Sequence, residues 1–149
     1  MAQNKKHKPA AFYAGLSGLT LPVPKYRFPQ QFKNASRLTY YATFFNSIEI
    51  NSTFYKLPMA NTVIKWVSMV PHEFKFTFKL WKEITHNKGL DFKALDVERF
   101  FKVISSAGNK KGCVFIQFPP SLDKENIIRL DLLLGCKKKQ FNAAMGYCS

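Results

Sequence analysis

The 149-residue chain carries 23 Lys and Arg against 9 Asp and Glu, a formal charge of +14, and is 46% hydrophobic and 21% charged. That composition is globular rather than disordered and suffices for one domain with its own core. No apolar run approaches the ~18 residues of a membrane span, and no apolar stretch follows the basic residues 1–10 as a signal peptide requires, so the expectation is a cytoplasmic protein with no membrane partner.

Three cysteines, an odd number with no C-x-x-C pair, point away from a disulfide framework or a zinc knuckle. The positive charge raises nucleic acid as a partner, since Lys and Arg neutralise phosphates. The lysines are spread along the chain, however, and cluster only within residues 5–8 and 137–139, so nucleic acid is the weaker expectation. Fifteen Phe, six Tyr and two Trp are a large ring surface that has to be buried or shared.

In chain order, residues 11–17 (AFYAGLS) predict a first strand. Asn34 is a candidate cap for a helix whose apolar face is Ala35, Leu38, Tyr41, Ala42 and Phe45. Residues 47–53 (SIEINST) predict the second strand. Asn61 then caps a helix with Val63, Ile64, Val67 and Val70 inward, stopped by Pro71. Residues 74–80 (FKFTFKL) predict the third strand. A helix starting near Asp96 repeats Val97, Phe100, Phe101 and Ile104, with Gly108 as its C′ residue. Residues 112–118 (GCVFIQF) predict the fourth strand, and Asp123 caps a last helix carrying Ile127, Ile128 and Leu130 before Gly135.

Alternation of strands and helices implies a parallel sheet with right-handed crossovers, and both an open doubly wound sheet and a closed barrel fit it. Residues 136–149 (CKKKQFNAAMGYCS) keep neither period and are expected to be an aberrant or disordered tail. The expected organisation is a basic extension over residues 1–10, a domain over residues 11–135, and that tail.

Four motifs carry a resemblance. Phe44 to Tyr55 reads FFNSIEINSTFY, followed by Leu57-Pro58 and Trp66. Phe74-Lys75-Phe76 stands with Lys79 and Ile84-Thr85-His86, and Phe115 to Ser121 reads FIQFPPS. In this order and spacing they resemble the YecE-like family, or domain of unknown function 72, from about Phe12 to Leu134. The family's first strand usually ends in Gly-x-Ser-Gly-Trp, whereas Gly18 is followed here by Leu19. The resemblance implies an α/β fold of the (β/α)8 TIM-barrel type, represented by its first four βα units. Strands five to eight, including an acidic segment on the fifth, would then be absent. On that reading the chain is a truncated or frameshifted product, with residues 136–149 out of frame.

Strand alternation adds side chains to this outline. With Ile48 and Ile50 toward helices, Glu49 and Asn51 face inward. The three Phe of FKFTFKL take the helix side, leaving Lys75, Thr77 and Lys79 inward. In the fourth strand Phe115 and Gln117 face inward, and Ser17 ends the first strand near the same mouth. Barrel sites sit at the C-terminal strand ends. Glu49 and Lys79 are therefore the candidate acid/base or substrate-orienting pair, and a cross-strand Glu49–Lys79 ion pair is the structural alternative. Ser17, Asn51, Tyr55, His86 and Gln117 are candidate substrate-binding groups, with Trp81 and Phe118 as possible aromatic walls.

No metal-ligand spacing joins Glu49 and His86, no phosphate-binding glycine motif is present, and no cofactor is implied. Ser17, His86 and Glu49 could be drawn as a triad only if the fold joined them. The functional expectation is a barrel whose complete relatives act on a small polar or anionic substrate at the mouth. The alternatives are nucleic-acid binding and a non-functional gene remnant with open sheet edges.

Overall fold

The computed structural model describes residues 11–144, with side chains placed through Gly135; residues 1–10 and 145–149 lie outside the described residues, and with them the basic extension and the last of the expected tail. Short runs of β-formers give three strands, β1 (Ser47–Ile50), β2 (Lys75–Lys79) and β3 (Lys111–Phe115), in one open parallel sheet ordered β1-β2-β3. The helices are α1 (Arg37–Tyr41), α2 (Ala60–Ser68), α3 (Lys82–Thr85), α4 (Ala94–Ser105) and α5 (Ile127–Ala144). The described residues therefore form a mixed α/β parallel sheet, with three strands rather than the four expected.

The missing strand has a local cause. Residues 11–17 do run beside β1, with Ser47 N donating to Ala14 O at 3.1 Å and Glu49 N to Leu16 O at 3.0 Å. Only one bridge forms, Ser17 to Glu49 in parallel sense. The next ladder bond would join Leu16 N to Ser47 O. Instead the Tyr41 hydroxyl stands between them, accepting from Leu16 N at 2.7 Å and donating to Ser47 O at 3.0 Å. Further back, the Asn46 carboxamide takes the place of a peptide group, accepting from Ala14 N and donating to Phe12 O, each at 2.8 Å. Gly15 passes so close that a Cβ there would lie 2.0 Å from Ser47 O.

Alternation along the strands decides the core. Ile48 on β1 and Phe76 and Phe78 on β2, with Phe74 and Leu80 flanking, are fully or nearly fully buried. They form one cluster with Val63 of α2, Val97, Phe100 and Ile104 of α4, and Leu133 of α5. Each such side chain contributes about 1.5–3 kcal/mol of transfer free energy. The register pairs Ile48 with Phe76 and Ile50 with Phe78, so like faces meet. Between β2 and β3 the pairing shifts after Phe76, with one extra residue on β3 before Phe78 meets Val114. Gly112 sits in that bulge, where an added Cβ would lie 3.1 Å from Phe76 O. The opposite face is bare at β3 and beyond: Cys113, Phe115 and Gln117 are exposed.

Helix ends depart from expectation. Ser36, not Asn34, caps α1, its hydroxyl accepting from Thr39 N at 3.0 Å. The α2 helix starts one residue before Asn61, with Met59 at its cap and no side-chain cap bond. At its other end Lys110 Nζ donates to Val67 O and Val70 O at 2.8 and 2.7 Å, a cation placed where the helix dipole is negative. The α4 face is as expected, with Val97, Phe100, Phe101 and Ile104 buried. Gly108 lies two residues beyond the α4 C-cap Ser106, at φ +53°. Asp123 caps a short 3-10 turn (Lys124–Asn126) that leads into α5, and Ile127 and Ile128 are exposed while Leu133 is buried.

The α5 helix does not stop at Gly135. It continues to Ala144, through most of the stretch expected to be an irregular tail. A glycine inside a helix costs only about 1 kcal/mol, and the Lys and Gln residues after it are good helix formers. Propensity thus extends the helix where no amphipathic period signalled one. Among the described residues no helix is long and apolar enough to cross a membrane.

Candidate functional site

The C-terminal ends of the strands hold the polar groups the sequence singled out, but in two clusters rather than one. After β1 the chain turns tightly through a 3-10 turn (Asn51–Phe54). The turn is fixed by Thr53, fully buried, whose hydroxyl lies 2.7 Å from Ile50 O and 2.6 Å from Lys79 O. One proton shared between two carbonyls ties the end of β1 to the end of β2. This positions Phe54 against the tip of β2, and Phe54 becomes the centre of the first cluster.

The Lys79 ammonium lies over the Phe54 ring, 4.7 Å from its centroid, and 5.8 Å from that of Phe115 on β3. Tyr55 and His86 both meet Phe54 edge-on, with ring centroids 5.0 and 4.9 Å away. His86 Nδ1 is 2.8 Å from the hydroxyl of buried Thr85, which orients the ring at the end of α3. Lys79, Tyr55 and His86 are thus brought together through an aromatic hub that sequence reasoning missed. The signal was the Phe directly before Tyr55, which strand alternation cannot place because the residue sits in a turn.

Ser17 and Glu49 make the second cluster. They are bridge partners, and Gly18 N donates to Glu49 O at 2.9 Å. Glu49 and Lys79 form no ion pair; those seen among the described residues are Asp96–Arg99 and Asp91–Arg129, while His72 Nδ1 and Glu73 Oε2 are hydrogen-bonded at 3.0 Å. Register makes the two residues diagonal neighbours. Glu49 stands opposite Thr77, so Lys79 lies two residues further along the neighbouring strand. Ordinary strand spacing then sets their Cα atoms about 8 Å apart on the diagonal, a gap two long side chains can span, so it is the rings around Lys79 that draw its ammonium away. The ammonium turns to the rings, and a cation over an aromatic face gains about 0.5–1 kcal/mol at an exposed site.

The remaining candidates are dispersed. Asn51 leaves the strand, opens the 3-10 turn and borders a groove on the helix side of β1; its Oδ1 is buried without a hydrogen-bond partner. Trp81 Nε1 is likewise buried and unpartnered. Gln117 is exposed beyond the end of β3. Ser17 pairs with the Glu49 strand while His86 contacts Phe54 and Thr85, so no hydrogen bond links the three as a triad. Among the described residues no group of three or more His, Cys, Asp or Glu could hold a metal ion.

A parallel sheet with its core on the helix side and polar groups at its C-terminal strand ends defines an α/β protein of the strand–helix–strand class. Within that class the chain belongs to the family described as protein of unknown function DUF72, whose sequence profile matches residues 13–145. The match continues beyond Leu134, the point at which similarity was expected to stop, and runs the length of α5. UPF0759 protein YunF of Bacillus subtilis (strain 168) is 32% identical over 112 residues, covering 69% of this chain and 39% of that protein. UPF0759 protein YecE of Escherichia coli (strain K12) is 26% identical over 121 residues, covering 80% and 44%. The chain therefore spans about two fifths of the length of the curated relatives it matches. A crystal structure of a DUF72 family protein (EF0366) from Enterococcus faecalis V583 superposes with a TM-score of 0.61 at 21% identity, over 85% of this chain and 47% of that one. This last likeness concerns the fold alone.

Proposed function

We propose that the Phe54-centred cluster is one wall of a binding site for a small polar or anionic molecule, and that the full site forms at the C-terminal mouth of a (β/α)8 barrel in the longer relatives. One observation carries this reading: the Lys79 ammonium is held in place by rings and has no carboxylate partner among the described residues. A neutralised lysine would be a structural brace. A lysine positioned by aromatic faces keeps its charge available for an incoming carboxylate or phosphate, with His86 and Tyr55 as hydrogen-bonding groups beside it.

In a catalytic version of this site Lys79 would orient the anion, while Glu49, which forms no ion pair with Lys79, would serve as the base. Ser17 and Gln117 would belong to the rim. The cationic surplus alone supports a nucleic-acid role less well, because no run of lysines lines this cluster.

The test is isothermal titration of the chain and of a full-length relative with a panel of small phosphorylated and carboxylated metabolites. A hit seen with this chain should weaken by about tenfold or more, the value of one charge-assisted contact, in Lys79→Met. Unchanged affinity in the Met variant would remove Lys79 from the site.

A further inference from the structure

A second site lies outside this cluster. On the helix side of β1, α1 and α2 stand apart and leave a half-open groove of about 770 Å³. That volume is within the roughly 300–1,000 Å³ typical of small-molecule sites. Its floor is Ile48 and Ile50, and its walls include Leu19, Trp66 and Met69. Neither Lys79 nor His86 borders it.

The groove is chemically lopsided. Its surface is mainly apolar, yet two cations, Arg37 at the start of α1 and Lys65 on α2, line it, and neither forms an ion pair with a described carboxylate. Glu49, the strand residue between the two isoleucines, also borders the groove, but strand alternation turns its carboxylate to the opposite face of β1. At the inner end stands Asn51, whose Oδ1 is buried and has no donor. A ligand that fits would be flat and apolar, to lie along Trp66. It would carry one negative charge for Arg37 and Lys65, and a hydroxyl or N–H would suit Asn51 once its side-chain torsion swings the oxygen toward the groove.

We propose that the α1–α2 groove binds a small aromatic or cyclic apolar carboxylate, independently of the Lys79 cluster. Ring stacking on Trp66 supplies the apolar contact, and the two cations that line the groove select the anion over its neutral analogue.

Two-dimensional amide and indole NMR of the full 149-residue chain, titrated with naphthoate and separately with neutral naphthamide, tests this. Saturable shifts are expected at Arg37, Lys65 and the Trp66 indole with naphthoate. The Arg37→Gln, Lys65→Gln double variant should lose at least about tenfold in naphthoate affinity, as expected for lost charge-assisted contacts, and little for naphthamide. Thr62→Trp, which fills the groove from α2, should abolish binding while the spectrum keeps its native dispersion. Lys79→Met should leave naphthoate binding intact, which separates this site from the strand-end cluster. Equal affinity for the two probes, absence of saturable shifts at millimolar probe, or shifts confined to Lys79 and His86 with none at Arg37, Lys65 or Trp66 would each overturn the proposal.

Discussion

The hydroxyl of Thr53 reaches across to the backbone of Lys79, 2.6 Å from its carbonyl oxygen, while also meeting Ile50 O at 2.7 Å. A single buried side chain therefore sets the spacing between the last residues of β1 and β2. Replacing Thr53 by Val keeps the shape and removes the hydroxyl. Two part-buried carbonyls then lose this donor, and a stability loss of about 1–3 kcal/mol is expected. Urea denaturation of the variant measures it; an unchanged midpoint would mean the two strand ends are held by other means.

Tyr41 gives a pH signature. Burial pushes its phenol above the ordinary value of 10.0, and the Leu16 backbone bond only partly offsets this. The folded state thus keeps the proton after the unfolded chain has released it. The resulting stability is complete below the unfolded pKa and is lost as pH rises through the folded one. Lys111 acts in the opposite sense, since burial lowers its ammonium pKa and rising pH relieves that cost. Comparing wild type with Tyr41→Phe isolates the phenol. The Phe variant should be less stable at neutral pH, because Leu16 N and Ser47 O lose their shared partner, and its stability should fall less steeply above pH 10.0. Parallel pH–stability curves for the two proteins would refute the assignment.

Gly15 has no room for a methyl group, so Gly15→Ala should detach residues 11–17 from β1. Hydrogen exchange reads this directly. The amides of Ser47 and Glu49, which donate to Ala14 O and Leu16 O, should exchange much faster, whereas those inside the β1–β2 ladder should not. Protection retained at Ser47 and Glu49 would show that the segment can shift to accept the methyl.

Phe54→Leu removes the ring shared by Lys79, Tyr55 and His86. The His86 ring protons, which sit edge-on to Phe54, should shift in the NMR spectrum, and the stability change should stay near the ~0.5–1 kcal/mol of one exposed cation–π contact plus a small packing loss. His86 resonances that do not move would place the ring elsewhere in solution.

Much of the core was legible because strand and helix periods report burial directly. Phe74, Phe76, Phe78 and the α4 set Val97, Phe100, Phe101 and Ile104 are all buried as the alternation required. The misses have local causes. Ile64, Ile127 and Ile128 carry apolar side chains at plausible helical positions yet remain exposed, because the described residues place nothing over those faces. The first strand failed because a tyrosine hydroxyl from a helix entered its ladder, a tertiary contact no periodicity encodes. The Glu49–Lys79 ion pair does not form because the Lys79 ammonium lies over the Phe54 and Phe115 rings, a contact made by the turn after β1 and by β3 and encoded in neither strand alone. Asn51 was assigned by strand alternation, but the strand ends at Ile50 and the turn redirects it.

Asn46 has a broader consequence. Its carboxamide holds Phe12 and Ala14 at fixed points just before β1 begins, and Gly15 then fits over Ser47 O. Sliding the N-terminal segment by one residue would bring a side chain onto that oxygen and leave the carboxamide facing the wrong peptide groups. The alignment of residues 11–17 is thus keyed like a lock with two wards, one polar and one steric. In the folded state the segment therefore fits in one frame only, and Asn46 and Ser47 together set it.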